Sequence, residues 1–221
     1  MSVGPGVPSV MGMENITDIA TTLTVELEVP DPEAAAATYE AAFGLGDRLG
    51  FRAEQGPSSG FRGFMLSLVV SQPSTVDSLI GTALEAGFTT LDPAKKSLWG
   101  YGGIVQAPDG TIWKISCSKK KDVAPFTRDI DTVVLLLGVE DVKASKRFYV
   151  DHGLTVAKSF GGKYAEFACP GSPITLAMYP RKAAAKEAGI SPEGTGSHRL
   201  VITGTTGTFT DPDGFVWQAT A

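Results

Sequence analysis

The chain has 221 residues, enough for one large or two small domains, and 43% hydrophobic against 19% charged residues is the makeup of an ordinary soluble globule. A net charge of −5 argues against a nucleic-acid partner, and no apolar stretch reaches the length of a membrane span. Cys117 and Cys169 are too few for a disulfide framework and suit a reducing cytoplasm.

Met1 to Gly12 is rich in Gly, Pro, Ser and Val and has neither a basic start nor a long apolar core, so it does not read as a secretory signal. Residues 1–17 are expected to be a disordered extension. Thr22 to Val29 alternates apolar Leu23, Val25, Leu27 and Val29 with polar Thr24, Glu26 and Glu28, the pattern of a half-buried strand. Asp31 caps the following helix, Pro32 takes its first position, Tyr39 and Phe43 share its buried stripe, and Gly44 ends it. Arg48 to Glu54 and Gly63 to Ser71 read as strands with a polar Gly/Ser loop between them. Ser74-Thr75-Val76-Asp77 is similar to a capping box with Asp in the acidic place, and opens a helix whose apolar face is Val76, Leu79, Ile80, Ala83 and Leu84. Gly87 stops it. Strands near 102–107 and 111–117 flank a Pro108-Asp109-Gly110 turn. Ser118 to Asp131 is polar and serves as a linker, with Lys119, Lys120 and Lys121 in solvent.

The second half opens on the apolar strand Thr132 to Leu137, followed by a helix over Val142 to Asp151. Strands are expected near 155–160, 163–169 and 174–179, then a short Ala/Lys helix over Arg181 to Ala188 and a strand over His198 to Thr203. The chain ends on Asp211-Pro212-Asp213-Gly214 running into Phe215-Val216-Trp217. That segment echoes Pro108-Asp109-Gly110 with Trp113, and Val139-x-Asp141 echoes Val29-x-Asp31 ahead of each helix. The chain is an internal duplication. The long helix that precedes the first turn has no counterpart before the second, so one element is expected to be missing from the second copy.

These residues, Asp211-Pro212-Asp213-Gly214 with Trp217, their echo at Pro108-Asp109-Gly110 with Trp113, and the two Val-x-Asp helix starts, give a chain that resembles the vicinal oxygen chelate superfamily from about Asp18 onward. That group includes glyoxalases, bleomycin-resistance proteins, fosfomycin-modifying enzymes and extradiol dioxygenases. The resemblance implies an α+β fold of two tandem domains. Each is built from βαβββ modules that form cup-shaped mixed sheets, with helices on the convex side. The domains are expected at 18–118 and 131–221, joined by a linker at 119–130. The first copy is expected to be short of strands in its front module.

In that superfamily a divalent metal sits on the concave face, held by His on a domain's first strand, His on its middle strand and Glu on its last. The resemblance places those ligands at Thr24, about Met65 and Lys114 in the first domain, and at Val134, His198 and Gln218 in the second. One good ligand, His198, does not hold a catalytic metal, so no cofactor is expected, and a divalent metal has only His198 as a weak candidate ligand. Strand alternation aims Lys114 into the first cup with Glu26 or Glu28 in reach. It places His198, Leu200 and Ile202 with Val216, Gln218, Val134 and Leu136 around the second. Trp99 and Tyr101, set among glycines, are expected to wall a pocket, and Met178 and Phe209 to line one.

The function expected is binding of a small, partly aromatic molecule without a metal, as in sequestration or resistance proteins, by a monomer or homodimer. The alternative is a glyoxalase-like lyase or isomerase, either metal-dependent or using Glu26 and Lys114 as acid and base, with His198 as a further catalytic candidate.

Overall fold

The computed structural model describes residues 21–220, and the expected N-terminal extension lies outside the described residues. In chain order the elements are β1 (Leu23–Val29), α1 (Pro32–Phe43), a 3-10 turn (Gly46–Arg48), β2 (Gly50–Ala53), β3 (Ser58–Gly60), β4 (Phe64–Val70), α2 (Pro73–Glu85), β5 (Thr89–Ser97), β6 (Gly100–Gln106) and β7 (Ile112–Cys117). They continue with β8 (Ile130–Val139), α3 (Val142–Asp151), β9 (Thr155–Ser159), β10 (Ala165–Ala168), β11 (Thr175–Pro180), α4 (Arg181–Glu187), β12 (Gly194–Gly196), β13 (Leu200–Gly204), β14 (Phe209–Thr210) and β15 (Val216–Ala219).

The helix caps follow the sequence at two of three sites. The Asp31 carboxylate accepts from Ala34 N at 3.0 Å, and Gly44 closes α1 in the left-handed region at φ 64. Asp141 accepts from Lys143 N and Ala144 N at the start of α3. The Ser74–Asp77 box does not form. The N-cap is Gln72, two residues before Ser74, with Pro73 in the first helical position; Ser74 N donates to Asp122 in the linker, and Asp77 instead accepts from the Tyr101 hydroxyl. β5 carries charges and Pro93, pairs only with β6, and has two register shifts, which are the marks of an edge strand.

The strands form an eight-stranded sheet in the order β5-β6-β7-β4-β8-β11-β10-β9, a five-stranded sheet in the order β14-β15-β13-β1-β2, and a two-stranded ribbon of β3 and β12. The large sheet is two βαβββ units, β4 to β7 and β8 to β11, joined by the antiparallel pair β4·β8. In each unit the first strand runs parallel to the last, β4 with β7 and β8 with β11. The smaller sheet repeats this with shortened units. β2 lies parallel to β1 where a full unit has its last strand, and β13 to β15 has no helix. The abbreviations expected in the first and last units are both present.

Neither half of the chain closes a sheet alone. The first half supplies β1 and β2 to one sheet and β4 to β7 to the other, and the second half completes both. The expectation of one cup per half is corrected accordingly. The reason lies in β4 and β8, whose residues are mostly apolar on both faces and pair along nearly their full length.

The helix-covered faces of both sheets share one apolar core, centred on Trp113, Trp217, Tyr39 and Tyr149. The hydroxyls of these tyrosines tie helices to turns. Tyr39 donates to Asp109 at 2.8 Å, and Tyr149 donates to Asp211 at 2.7 Å while accepting from Trp217 Nε1 at 3.1 Å. Among the described residues no helix is long and apolar enough to cross a membrane.

Candidate functional site

Alternation and register divide the eight-stranded sheet into an outer face under α2 and α3 and an inner face. Trp113 and Ile115 point outward into the core, so Ile112, Lys114 and Ser116 point inward. Lys114 lies opposite Ser67 on β4 and Ile104 on β6, and Ser67 lies opposite Val134 on β8. Val134 and Leu136 therefore share the face of Lys114, not that of His198.

Part of this inner face is filled by the chain itself. Ala184 and Ala185 on α4 and Ala188 just after it, midway through the second half, pack on Met65, Ile104, Ile112 and Phe61. These small side chains let α4 lie close to the sheet and bring Glu187 to Lys114, with Nζ and Oε1 2.5 Å apart. Both side chains remain a third exposed, at 33%. The partner expected for Lys114, Glu26 or Glu28, is corrected: β1 belongs to the other sheet. Glu26 there pairs with Arg52 at 3.7 Å, and Glu28 accepts from Ser197 Oγ at 3.2 Å. A Glu26/Lys114 acid–base pair does not exist.

Beside α4 the inner face opens into a groove of about 320 Å³. Its floor includes Gly102, Ile104, Lys114 and Ser116, with Asp92 and Lys95 on the curled β5 side and Glu187 opposite. Gly102 has no room for a side chain, since a Cβ would meet Ile115 O at 2.7 Å and Ser116 Cβ at 2.8 Å. Trp99 stands at the rim, 84% exposed, next to Leu98 at 79%. Tyr101 borders the groove, but its hydroxyl donates to Asp77 of α2 at 2.7 Å. That hydrogen bond, more than burial, raises the phenol to about 12.

The remaining expected site residues lie elsewhere. Met178 is fully buried on the core side of β11, in register with Leu137 and Ala165, and the adjacent Ala177 takes the inner place. Phe209 stacks on Trp217 with centroids 5.3 Å apart and also touches Phe148 and His152 in the core. Gln218 is half-buried on β15, in register with Thr203. Leu200 and Ile202 face the core with Trp217, so the wall drawn around His198 shifts by one residue. The cause is Arg199, a non-glycine at φ 54, which breaks the alternation between His198 and β13.

His198 bridges three segments. Its Nδ1 lies 2.5 Å from Arg62 O, its Nε2 lies 3.0 Å from Asp213 O, and its ring stacks on Phe215. Both nitrogens face carbonyl oxygens, so neither is directed at a metal position. On the inner face of the large sheet, the positions that would carry metal ligands hold an ammonium at Lys114 and an alkyl group at Val134. Among the described residues no three His, Cys, Asp or Glu side chains gather in one place. A divalent ion does not fit these donors.

Sequence reasoning missed Glu187 and Ser67. The only signal for Glu187 was the small-residue spacing of Ala184, Ala185 and Ala188, which marks a helix able to lie close to a sheet but does not say which sheet.

No protein-family model and no curated protein sequence matches the chain. Solved structures do match. Glyoxalase I from Zea mays superposes with a TM-score of 0.57 at 13% identity, over 90% of this chain and 92% of that one. A V278E mutant of the same enzyme gives 0.56 at 14% identity over 90% and 92%. A putative dioxygenase from Bacillus subtilis subsp. subtilis str. 168 gives 0.50 at 11% identity over 86% and 70%. At these identities the likeness is one of fold, and across nine-tenths of its length this chain has the α+β fold of glyoxalase I.

Proposed function

We propose that this chain binds a small, partly aromatic molecule in the groove on the inner face of the eight-stranded sheet, and that it does so without a metal. The observation that carries the reading is the groove itself. It has a glycine-and-isoleucine floor for a flat body, a Lys114–Glu187 pair and Ser116 to meet polar substituents, and an exposed indole at the rim. The residues at the metal-ligand positions supply no coordination sphere, so binding rests on shape, stacking and the ion pair.

Two measurements test this. Metal analysis of protein purified without chelators is expected to show no stoichiometric ion, and tightly bound Zn, Ni, Fe or Mn at one per chain would remove the reading. A panel of aromatic metabolites, screened by tryptophan fluorescence, is expected to contain ligands that shift the emission of Trp99. Ligands that bind equally well to Lys114→Met and Glu187→Gln variants would place binding outside the groove.

A further inference from the structure

At the other end of α4 lies a second concavity of about 310 Å³, which shares no lining residue with the groove. Its apolar walls include Phe61, Ile112 and Ile190, and Arg62 lines it beside the first Pro-Asp-Gly turn. The Arg62 side chain is 16% exposed. Its Nη2 donates to the Asp109 carbonyl. Its nearest carboxylate oxygen among the described residues is Asp109 Oδ1, 4.0 Å from Nη1 and beyond hydrogen-bonding reach.

The Asp109 carboxylate is already committed. Oδ2 accepts from the Tyr39 hydroxyl at 2.8 Å and Oδ1 from Thr111 N at 2.7 Å. Arg62 is thus a partly desolvated cation with donors to spare, in a pocket that sets Phe61, Ile112 and Ile190 beside the polar Gln106, Thr111, Ser191 and Glu193. Burial lowers its pKa while Asp109 opposes the shift, and a second anion would oppose it further. Gly110 leaves the guanidinium its space, because a Cβ there would come within 3.0 Å of Nη2.

We propose that this pocket is a second ligand site, and that it takes a small monocarboxylate with a compact apolar body. The carboxylate lies on the free edge of Arg62, where a planar guanidinium offers paired donors, and the body fits between Phe61, Ile112 and Ile190. Glu193, exposed at the pocket's border, sets the charge limit by repelling a second negative group.

The test is titration of the full ¹⁵N-labelled chain with phenylacetate and 4-methylpentanoate, with 2-phenylethanol and phenethylamine as controls. The carboxylates are expected to shift the amides of Gly110, Thr111, Ile112 and Ser191, and the controls to leave them in place. Arg62→Gln is expected to weaken binding about tenfold or more, and Glu193→Gln to tighten it. Because Arg62 also holds the Asp109 turn, Ser191→Trp serves as a second variant that fills the pocket from its exposed wall, and it is expected to abolish the shifts while the rest of the spectrum is kept. Shifts confined to groove residues such as Gly102 and Lys114, equal binding of the alcohol or amine, or unchanged binding in both Arg62→Gln and Ser191→Trp would each overturn the proposal.

Discussion

Removing one oxygen from Tyr149 tests the core that joins the two sheets, since Tyr149 lies on α3 over the large sheet and Trp217 on β15 of the small one. In Tyr149→Phe the Asp211 carboxylate loses its 2.7 Å donor and keeps only the backbone amides of Asp213 and Phe215. The indole N–H of Trp217, fully buried, loses its acceptor. A hydrogen bond to a charged group contributes about 1.5–3 kcal/mol, and a buried donor left unpaired costs about 1–3 kcal/mol. Allowing for partial relaxation, the expected loss is about 2–5 kcal/mol, or roughly 5–15 °C in Tm for a chain of this size. Urea and thermal denaturation measure it directly. Burial raises the pKa of Asp211, and the Tyr149 hydrogen bond pulls it back, so the variant raises it further. A carboxyl whose folded pKa lies above its unfolded value binds more protons when folded, and its ionisation costs stability as pH rises through that window. The deficit of the variant is therefore largest above the window and shrinks as pH falls through it. A loss below about 1 kcal/mol, or one that does not change from acid to neutral pH, would refute the assigned network.

Tyr39→Phe is expected to cost less than Tyr149→Phe, because Trp113 Nε1 already lacks a partner and only the bond to Asp109 is lost; chemical denaturation of the two variants side by side checks the order. Glu187→Gln is expected to change stability by less than about 1 kcal/mol, since the pair with Lys114 is partly solvated, and a larger loss in urea would show that α4 depends on that charge. Trp99→Ala is expected to leave Tm nearly unchanged and to remove most iodide-quenchable fluorescence, because Trp113 and Trp217 are 0% exposed. Burial pushes the Cys169 thiol up to about 11, so alkylation of the folded protein by iodoacetamide is expected to be slow at neutral pH and to accelerate as pH approaches that value. Rapid neutral labelling of Cys169, read by mass spectrometry, would contradict its burial.

The duplication was legible because its signals are local. Asp31 and Asp141 cap helices, each Pro-Asp-Gly turn needs a glycine at positive φ, and Trp113 and Trp217 follow at the same distance. Alternation on a continuous strand also carried far, and Lys114 faces inward as its neighbours require. What the sequence does not encode locally is which strands meet. β1 and β4 each open a strand–helix unit, yet they lead different sheets, and that choice separated Lys114 from Glu26. Alternation failed where one backbone angle departs from the strand, at Arg199, and moved Leu200 and Ile202 to the wrong face. β5 was hidden because an edge strand needs polar residues and tolerates Pro93, so it reads like a loop. The partner of Lys114 arrives from 73 residues away on a helix whose composition says only that it is small and soluble.

β1 and β15 flank β13, and Leu23, Gly204 and Ala219 stand level across the sheet. The two described ends of the chain are thus separated by two strand spacings, about 10 Å, a gap that three extended residues can cross. Between these two described ends the path of the backbone is almost a closed ring, and the linker after Cys117 is another point at which it could be opened. A circular permutant that begins at Ile130, runs through a short Gly/Ser bridge into β1 and stops after β7 should keep every strand pairing, for the order of residues along the backbone is not what holds these two sheets in place.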